Sequence, residues 1–313
     1  MATADSMNNI IETNNITKRF GNVTAVNKVS LHIRKGEIYG FLGLNGAGKT
    51  TTIRLLLGLI SPSEGEIIIL NQQIKRGKIG PWEKIGSLVE IPYAYPELTV
   101  RENLDIYRRL RGISDRKAVT DIIDKVKLTP YSDRKAGQLS FGNAQRLGLA
   151  KALIHHPEIL ILDEPANGLD PAGIVEIREL LLDLSKNQLT TIFISSHILA
   201  EVSKIADRIG IIHNGILLQE LNSDELENLI DKQFRIQTKN NDLALKVLRD
   251  KGLSPGLNED NEIVLADMES INHPEEIVSL LVSKSVPPVS FYRYEEDLEA
   301  YFLRLLHQFE DYK

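Results

Sequence analysis

Short apolar runs along the first 222 residues have the length and spacing of β-strands. Residues 11–20 and 25–33 alternate apolar and polar positions, and a third strand is predicted at 36–40. Further short runs follow at 66–70, 159–162, 191–194 and 208–212. The later runs are apolar without alternation, which indicates strands of a sheet that is covered on both faces.

Segments with helical spacing separate these strands. In the first of them, apolar residues recur at intervals of three and four, at Ile53, Leu56, Leu57 and Ile60. The predicted helices are 50–59, 100–110, 116–127, 142–155, 172–185 and 198–206. Three of them fall together between about 95 and 156, and the others alternate with strands. This order predicts an α/β domain that carries a helical subdomain at about 95–156.

The pattern changes after about residue 222, where shorter elements alternate. The predicted helices are 223–229, 243–251, 275–283 and 297–309, and the predicted strands are 234–238, 262–266 and 289–294. We therefore divide the chain into a larger domain at 1–222 and a small C-terminal α/β domain at 223–313.

Composition narrows the class of protein. The chain has 313 residues, 42% of them hydrophobic, and a net charge of −6. A duplex-binding surface usually has a basic excess, so we expect no nucleic-acid partner. The sequence has no cysteine, which excludes disulfides, thiolate zinc sites and cysteine nucleophiles.

The apolar runs also bear on location. Residues 1–9 are polar, unlike a signal peptide, and no apolar run approaches the about 20 residues of a membrane span. We therefore expect a cytoplasmic chain. If it acts at a membrane, another polypeptide must supply the spans.

A glycine-rich loop lies between the strand at 36–40 and the helix at 50–59. Its residues are Gly43, Leu44, Asn45, Gly46, Ala47, Gly48, Lys49 and Thr50. Glycines allow successive backbone N–H groups to face an anion, and the helix that follows directs its positive end to the same place. In such a P-loop, Lys49 reaches the β- and γ-phosphates of ATP and the Thr50 hydroxyl binds Mg²⁺. The sequence therefore predicts a P-loop NTPase.

Two adjacent carboxylates follow the buried strand at 159–162. Asp163 is placed to hold Mg²⁺, and Glu164 to orient the attacking water or accept its proton. An Asp-Glu-Pro turn explains such a pair equally well when it stands alone. The P-loop upstream favours the catalytic interpretation.

Six motifs in the N-terminal two-thirds of the chain resemble, in the same order, those of the ATP-binding-cassette (ABC) transporter ATPases. They are an aromatic residue (Phe20), the glycine loop, a signature (Leu139–Asn143, then Gln145-Arg146), the carboxylate pair, a D-loop (Asn167–Pro171) and a switch-histidine loop (Ser195–His197). The resemblance implies an ABC nucleotide-binding domain that binds ATP and Mg²⁺ and hydrolyses ATP.

The resemblance also implies roles for individual residues. Glu164, His197 and Lys49 are the expected catalytic residues, with His197 at the γ-phosphate. Phe20 is expected to stack on adenine, and Thr51 to join the loop residues in binding the nucleotide.

Members of this family pack two cassettes head to tail, with ATP between them. Ser140 and the Gly142 N–H are then expected to meet the γ-phosphate of ATP held by a second copy, and Asp170 of the D-loop to lie at the same nucleotide site. A separate transmembrane permease is the other implied partner, which places the chain on the inner face of the cell membrane.

The main departure from the family pattern is Glu90, at a position usually filled by glutamine. A carboxylate there can bind Mg²⁺ and is expected to alter coupling. The other interpretation is a solvated loop residue. Glutamate in this loop, together with the stretch 85–104 and the C-terminal appendage, resembles the ATPases of bacitracin resistance and lantibiotic immunity.

Two other function classes stay open at this point. One is a soluble ABC ATPase outside transport, although such proteins usually carry two cassettes or long insertions. The other is a regulatory protein that binds ATP without hydrolysing it, which the presence of Lys49, Glu164 and His197 disfavours. An ABC ATPase for another exported substrate also stays open, because the transported substrate cannot be read from these residues.

Overall fold

Two sheets organise the N-terminal part of the computed structural model, which describes residues 8–90 and 93–311. The strands are β1 (Asn9–Phe20), β2 (Val23–Arg34), β3 (Ile38–Leu42), β4 (Glu64–Ile69), β5 (Gln72–Gln73), β6 (Ile85–Leu88), β7 (Ile159–Asp163), β8 (Thr191–Ser196), β9 (Arg208–His213) and β10 (Ile216–Asn222). One sheet has the order β10-β9-β3-β8-β7-β6 and is parallel except at β10, and the other is antiparallel with the order β2-β1-β4-β5.

The α-helices described in this unit are α1 (Lys49–Leu56), α2 (Val100–Leu110), α3 (Lys117–Lys125), α4 (Phe141–Leu153), α5 (Pro171–Gln188) and α6 (Leu199–Val202). Side chains cap the starts of α2, α4 and α5. Thr99 and Glu102 form a reciprocal capping box at the start of α2. Asp170 caps α5, and Pro171 occupies its first position, where no N–H is needed.

The core of the unit lies around β3, β7 and β8. Every residue of these three strands is buried, as the absence of alternation indicated for the later runs. Phe193 lies at the centre, with ring centroids 5.8 Å from Tyr39 and 5.3 Å from Phe41. The tight packing holds the carboxyl ends of these strands at one edge of the sheet.

The chain forms a second compact unit, Asp224–Lys313, after the first, Met1–Ser223. Its elements, with α7 starting at the boundary, are α7 (Ser223–Leu229), β11 (Lys232–Thr238), α8 (Asn241–Asp250), β12 (Gly256–Leu257), β13 (Ile263–Leu265), α9 (Met268–Asn272), α10 (Pro274–Ser283), β14 (Pro288–Glu295) and α11 (Leu298–Asp311). The strand order β12-β13-β11-β14 is antiparallel throughout, so the β-α-β-β-α-β succession has the ferredoxin-like, split βαβ topology. Phe234 and Ile236 of β11 pack with Leu248 and Leu281 in its core.

The α/β fold class is confirmed, but several elements differ from the prediction. The helix predicted at 198–206 is one turn only, Leu199–Val202. β6 was missed because Gly86 weakens its strand signal. A Cβ at Gly86 would lie 2.1 Å from the Ala152 carbonyl oxygen of α4, so the close packing of α4 on the strand requires glycine.

β10 was missed although its signal is present in the sequence. Asn214 and Gly215, both with positive φ, form the turn between β9 and β10. An Asn-Gly pair between apolar runs is a strong hairpin signal. The short elements β5, β12 and α9 were also missed.

Within the described ranges, no helix combines the length and apolar character needed to cross a bilayer.

Candidate functional site

The glycine loop joins β3 to α1, and two of its glycines are required by their neighbours. A Cβ on Gly43 would lie 2.4 Å from the Ile212 carbonyl oxygen. One on Gly48, where φ is +111°, would lie 2.5 Å from the Ala25 carbonyl oxygen. Contacts from β2 and β9 therefore hold the loop in a shape that only glycine permits.

Lys49 is a buried cation at the centre of the loop. Its Nζ donates to the carbonyl oxygens of Gly43 at 2.7 Å and Leu44 at 3.2 Å, and it lies 3.2 Å from Glu164 Oε1. Only 6% of its side chain is exposed. A buried ammonium group needs anionic or carbonyl partners. Phosphate oxygens would supply stronger ones than the two carbonyls.

Asp163 connects the end of β7 to the start of α1. Thr50 Oγ1 donates to Asp163 Oδ2 at 2.8 Å, and Ser195 Oγ donates to Asp163 Oδ1 at 2.5 Å. The carboxylate is 4% exposed. Thr50 and Asp163 thus present two oxygen atoms side by side, which are ligands that Mg²⁺ prefers beside a nucleotide.

Glu164 is the next residue and has φ of +50°, a conformation that non-glycine residues rarely adopt. Its Oε2 lies 2.7 Å from His197 Nδ1 and accepts from the His197 N–H at 3.3 Å. The turned backbone aims Glu164 at Lys49 and His197 together.

These contacts bring five of the predicted residues into one site: Lys49, Thr50, Asp163, Glu164 and His197. The glycine cradle, the buried cation and the hydroxyl–carboxylate pair suit a nucleoside triphosphate with Mg²⁺. Across residues 8–90 and 93–311 there is no group of three or more His, Asp or Glu side chains suited to a metal. Of the predicted metal ligands, Thr50 and Asp163 lie side by side in this site, 2.8 Å apart.

The loop residues Leu44, Asn45 and Gly46 are exposed, and Ala47 is buried. Thr51, on α1, is partly buried. Phe20 ends β1 with 48% of its surface exposed, and Lys18 Nζ lies 5.0 Å from the centre of its ring. This is an open aromatic face of the kind that a base can stack on.

The signature and D-loop residues line a separate cavity of about 480 Å³. Ser140, Gly142 and Asp170 border it, together with Lys127 and Arg146. No residue of Gly43–Thr50 lines this cavity. Ser140 caps α4, so the positive end of that helix opens toward the cavity edge.

Glu90 lies two residues beyond β6, with φ of +57° and 53% of its side chain exposed. Its carboxylate forms an ion pair with Arg54, one helical turn beyond Thr50 on α1. The predicted metal role of Glu90 stays a prediction. The structure adds a cationic partner that the sequence did not indicate.

Comparison with known proteins gives the lineage of this site. A family model described as ABC transporter matches residues 26–167. A bacitracin transport ATP-binding protein of Bacillus licheniformis is 39% identical over 300 residues, covering 96% of this chain and 98% of the relative. A lantibiotic transport ATP-binding protein of Streptococcus pyogenes is 40% identical over 220 residues, covering 70% of this chain and 94% of the relative. The chain belongs to the ABC transporter family.

A solved structure of an ABC cassette supports this at the level of fold. A dimeric bacterial ABC transporter cassette superposes with a TM-score of 0.62 and 28% identity, covering 68% of this chain and 98% of that one. As a member of this family, the chain is an ATP-binding ABC protein, and the predicted family, ATP ligand and P-loop fold are confirmed.

The cassette also contains site-supporting residues that sequence reasoning missed. Asn103 of α2 is fully buried and bonds the loop before it: its Oδ1 accepts from the Tyr95 N–H at 2.9 Å, and its Nδ2 donates to three carbonyls, of Tyr95, Leu98 and Thr99. An Asn inside a helical pattern gives little signal of this kind from sequence alone.

Lys151 of α4 anchors the same loop nearer to Glu90. Its Nζ donates to the Tyr93 carbonyl oxygen at 2.6 Å and lies 4.8 Å from the centre of the Tyr107 ring. Burial lowers the pKa of Lys151 to about 8. The loop after β6 is thus tied to α1 through Glu90 and to α4 through Tyr93.

A further contact joins the signature to the D-loop. A Cβ on Gly168, where φ is +70°, would lie 2.4 Å from Phe141 Cδ1. The Phe141 ring therefore rests on Gly168 and leaves no room for a side chain there.

Proposed function

We propose that this chain is the ATP-hydrolysing subunit of a membrane transporter that exports a peptide antibiotic, or gives resistance to it, of the bacitracin or lantibiotic type. The single observation that carries the hydrolytic part is the contact set of Glu164, which joins Lys49 and His197 beside the Thr50–Asp163 pair. The names of the relatives support the substrate class, since they are ATP-binding proteins of bacitracin and lantibiotic transport.

Each residue has a stated task in this proposal. Lys49 leaves its two carbonyl partners for the β- and γ-phosphates of ATP. Thr50 and Asp163 hold Mg²⁺, which supplies positive charge to the phosphates when bound. Glu164 orients the attacking water and takes its proton, and His197 fixes Glu164 and contacts the γ-phosphate.

The remaining nucleotide contacts come from Phe20, for adenine, and from a second copy of the chain. Ser140, Gly142 and Asp170 lie at the 480 Å³ cavity, apart from the glycine loop. Their place suits ATP bound to the loop of a partner copy, and a similar cassette is dimeric in its solved structure. The proposal therefore includes a head-to-tail dimer, bound through a separate permease to the inner face of the cell membrane.

Replacing Glu164 with Gln tests the hydrolytic function. It keeps the shape of the side chain but removes its charge and its capacity as a base, so turnover of ATP should fall by roughly a hundredfold or more while ATP still binds. Phosphate release and ATP affinity of purified protein measure the two effects. Wild-type protein that binds ATP without turnover, with or without its permease, would instead indicate a regulatory protein.

Susceptibility tests address the substrate. The chain expressed with its permease in a sensitive bacterium should raise resistance to bacitracin or to a lantibiotic, and the Glu164→Gln variant should not. Equal resistance with both variants would refute ATP-driven export.

A further inference from the structure

We propose that Ser195 is a positioning residue that sets both carboxylates of the site, Asp163 for the metal and Glu164 for the water. This inference rests on the proposed ATPase function and extends it to a residue whose hydroxyl bonds Asp163 and the Glu164 backbone.

Ser195 occupies the strand between the loop and the carboxylates. β8 lies between β3 and β7, and Ser195 pairs with Phe41 on one side and with Asp163 on the other. Its accessible surface is 0%. A buried hydroxyl at this point faces the carboxylate strand, and its hydrogen bonds cannot be replaced by bulk water.

The Ser195 hydroxyl bonds one oxygen of Asp163 and leaves the other oxygen for Thr50 and the metal. Ser195 Oγ donates to Oδ1 at 2.5 Å, and Thr50 Oγ1 donates to Oδ2 at 2.8 Å. Rotation of the carboxylate about its terminal bond would break both hydrogen bonds, so the two donors together hold its orientation. Oδ2 therefore stays beside Thr50, where a cation bound to the Thr50 hydroxyl would meet it.

The same residue holds the peptide that turns Glu164 into the site. The Glu164 N–H lies 3.3 Å from Ser195 Oγ and 3.2 Å from the Ser195 carbonyl oxygen. Glu164 has φ of +50°, and a rarely populated conformation persists only where neighbouring contacts enforce it. Two acceptors from one residue supply such an enforcing contact.

A purely structural role for Ser195 predicts a different outcome from a positioning role. A structural hydroxyl affects the stability of the fold. A hydroxyl that orients a metal-binding carboxylate affects metal affinity, and loss of such supporting groups typically costs 10–100-fold in metal affinity or activity.

The test is Ser195→Ala, with the non-hydrolysable analogue AMP-PNP as the probe. In EDTA, where the glycine loop alone binds the phosphates, its affinity should stay within about twofold of wild type. With Mg²⁺ present, affinity should fall about tenfold, and the Mg²⁺ concentration for half-maximal turnover should rise about tenfold. An unchanged Mg²⁺ dependence in a folded Ser195→Ala protein would overturn the inference.

Ser185→Ala is the matched control. Ser185, on α5, is also a buried serine, and its Oγ donates to the Gly36 carbonyl oxygen at 2.8 Å. The Ser185→Ala substitution should lower stability without changing the Mg²⁺ dependence. If Ser195→Ala does not fold, Ser195→Cys is tested instead, because it keeps the size of the side chain with a weaker donor. It should show a smaller loss of Mg²⁺ affinity in the same direction. A Mg²⁺ dependence equal to that of wild type in this variant overturns the inference. If wild-type protein itself neither binds nor hydrolyses ATP, the proposed function fails first.

Discussion

Replacing Gly168 with Ala perturbs the contact between the D-loop and the signature. The new Cβ would lie 2.4 Å from Cδ1 and 2.5 Å from Cε1 of Phe141, and φ at this position is +70°. Two effects add: an alanine in the left-handed region costs about 1–2 kcal/mol, and the ring must move away.

The cost of moving the ring has an upper bound. Phe141 is 48% exposed, so about half of its roughly 200 Å² of side-chain surface is buried. At about 25 cal/mol per Å², expelling that half costs no more than about 2.5 kcal/mol. The Gly168→Ala change should therefore destabilise the first unit by about 2–4 kcal/mol.

A double-mutant cycle isolates the contact. In a Phe141→Ala background the ring is absent, and Gly168→Ala should cost only its backbone share of about 1–2 kcal/mol. Gly112→Ala is the matched control, since Gly112 has φ of +68° and no atom within 4 Å of its added Cβ.

Urea unfolding followed by tryptophan fluorescence measures these costs. Trp82 is the only tryptophan of the chain and packs against the core of the first unit, so the signal reports that unit. If Gly168→Ala costs the same with and without the Phe141 ring, within about 0.5 kcal/mol, the proposed contact does not constrain the D-loop.

Two further predictions concern the loop that follows β6. The pKa of Lys151 is lowered from 10.5 to about 8, so between these pH values the unfolded chain binds more protons than the folded chain, and stability should rise with pH by on the order of 3 kcal/mol in total. Lys151→Met has no proton to lose, so its urea midpoints, measured from pH 7 to 10.5, should lack this rise. Parallel curves for the two proteins would refute the prediction. Glu90→Gln should leave ATP affinity largely intact and change turnover or transport coupling, and Arg54→Gln, which frees the Glu90 carboxylate, should change them too. Each substitution should lower stability by under about 1 kcal/mol because the ion pair is half exposed. Wild-type turnover and coupling in both variants would return Glu90 to a solvated loop residue.

Local chemistry explains what could be predicted of the site. Lys49, Thr50, Asp163 and Glu164 belong to short motifs whose spacing is set by a turn or a strand end, and the structure places them together. Helix starts could be predicted for the same reason, since they too depend on residues a few positions apart. The start of α2 follows from Thr99 and its capping partner Glu102, three residues apart.

Elements with mixed signals could not be predicted in the same way. β6 contains a glycine that only the approach of α4 explains, and α6 stops after one turn although apolar residues continue to Ile205 and Ala206. The apolar pattern reports burial at these positions, and burial alone does not distinguish a helix from a packed turn.

The sequence by itself determined the motifs, the class of ligand and the α/β succession, because each depends on residues that are neighbours along the chain. Only the tertiary structure decided which groups support them. Ser195 meets Asp163 across 32 residues, Arg54 meets Glu90 across 36, and Lys151 meets Tyr93 across 58. A serine, an arginine and a lysine carry no local mark of such partners, since a hydrogen bond or ion pair is specified by distance in space. Packing of the sheet brings these residues within that distance.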